Sequence, residues 1–250
     1  MCTRLNPFIT LVLVVCSMSS AAAIPWTGRG GDRLWSNPAN WQSSKVPTSS
    51  DEAYVDAPAA AAPNGPIIQD GIDAKAALLA CDVAGEPTIT MTGGILELAG
   101  WGMWCGDGRG CRATFNMGGG TIDFIGLPGI FEMAWQEASD PPGSCQATWN
   151  MTGGTVNAKG VDMPGKGNGG YARINLYGGV FNVGTARGGL VMYKNGLITI
   201  TEGTLVLEGD ERMKVDGLIA AGQITAYDGA GYLELDFDER KCDHGFALAA

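Results

Sequence analysis

The chain has 250 residues, of which 39 are Gly and only 17% are charged, and its net charge is −10. Glycine at roughly twice its average share demands many tight turns and argues against a helical protein. An acidic surface argues against nucleic acid and anionic membranes as partners, and the length suffices for one domain with a sizeable core.

The first 23 residues predict a signal peptide. Arg4 supplies a positive start, Phe8 to Val15 a short apolar run, and Ser19-Ser20-Ala21-Ala22-Ala23 the small residues that precede a cleavage near Ala23. The apolar run is too short to span a bilayer, and no later stretch reads as transmembrane. Val15 before Cys16 is large where a lipoprotein site wants a small residue. The expected product is secreted or displayed at the cell surface, with net charge 15 − 26 = −11. It keeps five cysteines: Cys81, Cys105, Cys111, Cys145 and Cys242.

Residues 24–66 predict an N-terminal cap that ends in an Ala/Pro-rich loop at 57–66. Trp35 and Trp41, in Trp35-Ser36-Asn37-Pro38-Ala39-Asn40-Trp41, are expected to cover the first rung of a repeat array that begins near residue 67.

Residues 67–214 carry that repeat. Thr88-Ile89-Thr90-Met91-Thr92-Gly93-Gly94 recurs from Thr114, Thr148, Arg173 and Leu197, in steps of 26, 34, 25 and 24 residues. Periods of this size signal a solenoid. Period-2 alternation sorts the positions into inner and outer columns. Ile89, Phe115, Trp149, Ile174 and Ile198 face in, as do Met91, Met117, Met151, Leu176 and Ile200. Thr90, Asn116, Asn150, Asn175 and Thr199 face out. After the glycines, Leu96, Ile122, Val156, Phe181 and Leu205 begin a second strand, with Glu97, Asp123, Asn157, Asn182 and Val206 outside. A third strand aligns on Met103, Met133, Met163 and Met192, with Met213 as a fifth member. The reading is an all-β, single-stranded, right-handed parallel β-helix of about five regular coils, three strands per coil. Longer blades and antiparallel strands count against the rival β-propeller. Residues 215–250 are expected to close the array with two strands around a glycine turn, at 223–227 and 232–237.

In this register Cys111 and Cys145 fall on adjacent rungs, within disulfide reach. Cys105 and Cys111 close a short loop. Either pair is an expected structural disulfide.

The Trp-Ser-Asn-Pro-Ala-Asn-Trp opening, the Met-Thr-Gly-Gly-Thr repeats and the terminal Ile219-Ala220-Ala221-Gly222-Gln223-Ile224-Thr225 resemble exported bacterial proteins with pectin-lyase-like or autotransporter-like β-helix repeats. The resemblance implies the fold. It is poor for activity, because such repeats serve adhesins, surface-layer-like proteins and carbohydrate-active enzymes alike. No stretch of the sequence predicts the long membrane barrel of an autotransporter.

Glycosidase chemistry needs paired carboxylates, and lyase chemistry needs acid-held Ca²⁺ beside a Lys or Arg base. Glu97 with Asp123 and Glu132 with Asp162 neighbour each other in outer columns and are the weak Ca²⁺ candidates, but solvated edge residues are the commoner reading. No Lys or Arg falls in those columns. The only histidine, His244, sits beside Cys242 and Asp243 in the tail and suggests no site. No catalytic residue and no cofactor motif is identified.

The spans from the third-strand methionine to the next coil vary in length, and such corners often carry the binding face of a solenoid. This corner holds Trp104, Asp107, Arg109, Trp135, Glu137, Asp140, Lys166, Tyr193 and Lys194. Aromatics with acids suit a sugar ring. The expected function is a non-catalytic structural or binding module, glycan-directed through this corner. Its expected partners are extracellular polysaccharide or other cell-surface components. The alternative is a polysaccharide lyase or glycosidase, which carboxylates clustered beside a base in one groove would favour.

Overall fold

A computed structural model describes residues 21–61, 63–165, 169–237 and 246–249. The expected signal peptide therefore lies, up to residue 20, outside the described residues, as do Lys166, Cys242, Asp243 and His244.

The chain forms a parallel β-solenoid of about 8 turns. Three ladders of strands run along it. The first-strand ladder stacks Ile67–Ile68, Thr88–Met91, Arg112–Met117, residues 146–151 and 171–176, Gly196–Ile200 and Ile224–Ala226. Its register sets Ile89, Phe115, Trp149, Ile174 and Ile198 one above another, and likewise Met91, Met117, Met151, Leu176 and Ile200. All ten side chains are buried. Phe115 stacks face to face on Trp149 at 4.0 Å, and Phe131 meets the same indole edge-on at 4.9 Å. The second-strand ladder sets Leu96, Ile122, Val156, Phe181 and Leu205 in line, again inside.

The repeat couples methionine to glycine physically. Gly154 has φ +89°, a left-handed conformation that costs other residues about 1–2 kcal/mol. A Cβ there would lie 2.6 Å from Gly120 O and 2.7 Å from the terminal methyl of Met117, one coil earlier. Gly120 stands in the same relation to Met91, and Gly179 to Met151. Each corner glycine thus leaves the space that the methionine of the previous coil fills.

The turn count exceeds the five regular coils expected because no outer turn combines a core methionine with a corner Gly-Gly. The third-strand ladder already begins with Ala22–Pro25, Asp51–Tyr54 and residues 78–81, within and beyond the expected cap. It continues through residues 102–105, Ile130–Met133, Gly160–Met163 and Leu190–Met192. Its register corrects one alignment. Met133 stacks towards Met163 and Met192, but its partner on the preceding rung is Cys105, while Met103 pairs with Phe131. Gly102 fixes this shift of two residues. Its φ is +111°, and a Cβ would come 2.3 Å from Ile130 O, so only glycine fits beneath Ile130. The shift turns Trp101 out to solvent and moves Trp104 from the loop onto the outer column of the strand. Met213, expected as a fifth core methionine, is 91% exposed on the helix Arg212–Ala220.

At the N-terminal end Trp26, Trp35 and Trp41 are buried in edge-on contact, with centroids 5.0 and 4.7 Å apart. Trp41 Nε1 donates to Trp35 O at 2.7 Å, and buried Asn40 donates to Asp32 Oδ1 at 2.7 Å and Leu34 O at 3.0 Å. The polar residues of the Trp-Ser-Asn-Pro-Ala-Asn-Trp segment thus tie the loop that carries these rings. At the other end the two expected closing strands do not pair with each other. Ile224–Ala226 continues the first ladder in parallel, whereas Glu234–Phe237 runs antiparallel to Phe246–Ala249, which is antiparallel to Thr204–Leu207. An antiparallel partner covers the last open edge.

Gly154→Ala is expected to lower unfolding free energy by about 2–4 kcal/mol, from left-handed strain plus overpacking. Urea denaturation followed by circular dichroism checks this.

Candidate functional site

The outer column of the third ladder is the floor of a groove. Trp104, Glu132, Asp162 and Val191 are successive partners in it, so they repeat at the ~4.8 Å spacing of stacked strands. The corner after this strand folds up beside them and brings Asp107, Trp135 and Tyr193. Asp82 closes one end and Arg187 the opposite rim. Together these residues line a cavity of about 830 Å³.

Backbone geometry holds the walls. Trp135 N donates to Asp107 Oδ1 at 3.0 Å, which ties two corner loops one coil apart. The thiols of Cys145 and Cys111 donate to backbone carbonyls: Cys145 Sγ to Asp107 O and Gly108 O of a corner loop at 3.3 Å each, Cys111 Sγ to Cys81 O at the end of a third-ladder strand at 3.3 Å. A Cβ on Gly165 would lie 2.7 Å from Glu132 Oε1 and 2.8 Å from Trp135 Cβ, so the bare backbone there makes room for both groove residues.

Burial dominates the electrostatics. It pushes the Asp107 carboxyl well above the ordinary range, and the neighbouring acids Glu132, Asp82 and Asp162 add to the effect. It also raises Glu132, with Asp162 adding and Arg187 partly offsetting, and it raises Asp82, with Asp56 adding. Carboxyls crowded in a half-buried groove disfavour one another's ionisation.

Of the corner residues expected to bind, Trp104, Asp107, Trp135 and Tyr193 meet in this groove; Arg109, Glu137, Asp140 and Lys194 do not line it. Two of the weak Ca²⁺ candidates, Glu132 and Asp162, join the first four. The other two, Glu97 and Asp123, are on a different face. Glu97 pairs with Lys75 at 2.5 Å, so that column does contain a lysine, one coil earlier than the columns compared in the sequence. Asp123 accepts from Asn157 Nδ2 at 2.6 Å, and Asn157 accepts from Asn182 at 2.8 Å, an amide ladder along the solenoid. Asn116, Asn150 and Asn175 form a second ladder, at 2.9 and 2.7 Å. Asn175 and Thr199, expected outside, are buried because the turn Tyr227–Gly229 covers them. Asp228 N donates to Thr199 Oγ1 at 3.1 Å, and Arg173 bridges Asn175 and Asp228.

Among the described residues no group of three or more His, Cys, Asp or Glu is placed to hold a metal ion. The expected disulfides are not formed: Cys81, Cys105, Cys111 and Cys145 are free, buried thiols. Cys105 instead stacks on Cys81 in the third ladder, and burial pushes the Cys111 thiol up to about 12. Sequence reasoning missed Asp82, Arg187 and Gly165. Arg187 comes from the connection between second and third strands rather than from the corner after the third strand, and Asp82 follows a coil that lacks the methionine marker.

No family model matches the chain, and no curated protein or solved structure is significantly similar to it. Among the described residues no helix is long and apolar enough to cross a membrane.

Asp107→Asn keeps an acceptor for Trp135 N and removes the buried charge. A carboxyl raised by folding contributes stability below its unfolded pKa and loses it as pH rises through the folded value. The variant is therefore expected to be more stable than the parent at neutral pH, with the difference closing below the ordinary carboxylate range. Urea midpoints across pH check this.

Proposed function

We propose that this protein is an exported, non-catalytic module that binds a glycan chain along the third-strand groove. The observation that carries the reading is that Trp104, Trp135 and Tyr193 line one cavity with Asp107, Glu132 and Asp162. Aromatic faces take the apolar face of a sugar ring, and carboxyls take its hydroxyls. The rung repeat of the floor is close to the length of one pyranose, so a linear chain laid along the solenoid axis meets a new side chain at each sugar. Export follows from the leader-like residues 1–23, and the sequence resemblance to exported β-helix proteins points the same way.

Glycoside hydrolysis is the second reading. Glu132 and Asp162 are adjacent partners, and burial with Asp162 beside it raises the Glu132 carboxyl, as suits the acid of a glycosidase's carboxyl pair. Lyase chemistry has less support. Among the described residues Arg187 is the one basic side chain that lines the groove, against the carboxyls of Asp82, Asp107, Glu132 and Asp162.

Glycan-array binding with parallel assays on neutral and acidic polysaccharides, with and without Ca²⁺, tests the assignment. Trp104→Ala and Trp135→Ala are each expected to weaken glycan binding by about tenfold, the cost of one stacked aromatic contact. Unchanged binding would remove the groove as the site. Release of new reducing ends that Glu132→Gln abolishes would replace binding by hydrolysis, and release of unsaturated oligosaccharides would make it a lyase.

A further inference from the structure

We infer that this groove takes the end of a glycan chain and not a stretch of its interior. The inference rests on the glycan-binding reading and concerns which part of the chain is bound.

An unbroken solenoid face would let a polymer pass along it. The third ladder runs on beyond Trp104 through residues 78–81, Asp51–Tyr54 and Ala22–Pro25, so three more rungs lie in line with the groove. The groove does not follow them. Ala80 is the outer-column partner of Trp104 on the neighbouring rung, yet it is wholly buried, so no ligand can lie on it. Of the described residues before Trp104, only Asp82 lines the cavity. The floor therefore stops at the Trp104 indole while the ladder beneath it continues.

Backbone bonds build the stop. Gly106 N and Asp107 N both donate to Cys81 O, at 3.0 and 3.3 Å, which draws the loop after the Trp104 strand onto the coil before it. Gly108 then packs so tightly that a Cβ on it would stand 1.3 Å from Asp82 O. Asp56 holds the far side, accepting from Asp82 N at 3.0 Å and Val83 N at 3.2 Å. Cys145 ties the same loop to the coil after it through Asp107 O and Gly108 O. Segments joined this closely leave no gap for a sugar ring.

The opposite end differs. Among the described residues Val191 is the last of the floor, and Tyr193 beside it is 39% exposed. The helix Arg212–Ala220 contributes no residue to the lining. A chain enters past Val191 and Tyr193, runs over Asp162 and Glu132, and sets its last ring on Trp104. Four floor residues at ~4.8 Å spacing hold about three or four sugars. The last sugar keeps a hydroxyl that an interior sugar loses to its glycosidic bond, and Asp82 stands where that hydroxyl falls. A site that hydrogen-bonds a hydroxyl discriminates strongly against a ligand lacking it.

Calorimetry on the purified protein tests the inference. The probes are unbranched hexasaccharides of β-1,4-glucose, β-1,4-mannose, β-1,4-N-acetylglucosamine and α-1,4-glucose, each beside a soluble unbranched polymer of the same sugar. For each sugar that binds, one protein per chain is expected for hexamer and polymer alike, and affinity counted per chain should agree within about twofold. A groove for chain interiors would load several copies on each polymer and raise its affinity per chain with the number of sites. A polymer that takes more than one copy, or that fails to bind where its hexamer binds, would overturn the inference and leave the glycan groove standing. Binding of no saccharide would overturn both the inference and the glycan reading.

Discussion

Three successive coils at the centre of this protein are each fitted to the one before by the same contact: the methyl of a core methionine filling the space that a corner glycine leaves one coil later. Met91 meets Gly120, Met117 meets Gly154 and Met151 meets Gly179, at distances no Cβ would tolerate. The contact fixes where the chain turns between first and second strands. Because a one-residue slip would turn the whole inner set outward, it fixes the register of both ladders as well. The amide ladders Asn116–Asn150–Asn175 and Asp123–Asn157–Asn182 decorate the outside of the same rungs and depend on that register.

The groove inherits its order from the stack. A regular ladder gives a column of outward side chains at constant spacing, and the residue choice along it, Trp104, Glu132, Asp162 and Val191, turns a structural face into a graded surface. The corner loops then wall it. The buried Cys145 thiol holds one of those loops by donating to Asp107 O and Gly108 O, and Cys111 donates to Cys81 O at a strand end, roles that need no disulfide. The groove therefore spans a regular face and an uneven corner rather than the corner alone.

The two inner ladders, read from Ile89 to Ile198 and from Leu96 to Leu205, were legible because methionine, glycine pairs and period-2 alternation mark them together. The third ladder was not legible near Trp101-Gly102-Met103. Two inward sulfur-bearing apolar residues, Met103 and Cys105, are both candidates for the same column, and the close approach of Gly102 to Ile130 decides between them. That ambiguity hid Trp104's place on the floor of the groove. The terminal turns escaped because their stacking uses Ala, Leu and Ile without a repeat signature, and Arg187 escaped because long-range assembly, not spacing, brings it to the rim. The acid pair Glu132 and Asp162 was legible as neighbours; its meeting with Trp135 and Tyr193 depends on loop paths that no local pattern encodes.

The in-register stacking on which all of this depends is open to direct chemical measurement. Asn116 and Asn150 are partners on adjacent rungs, about 4.8 Å apart and within disulfide reach, whereas Asn116 and Asn175 are separated by two rungs. Under mild oxidation, the double variant Asn116→Cys with Asn150→Cys should yield a cross-link joining those two positions, mapped by peptide mass spectrometry. The double variant Asn116→Cys with Asn175→Cys should yield none. A cross-link in the second variant and not the first would contradict the register, and with it the stacked column that builds the groove.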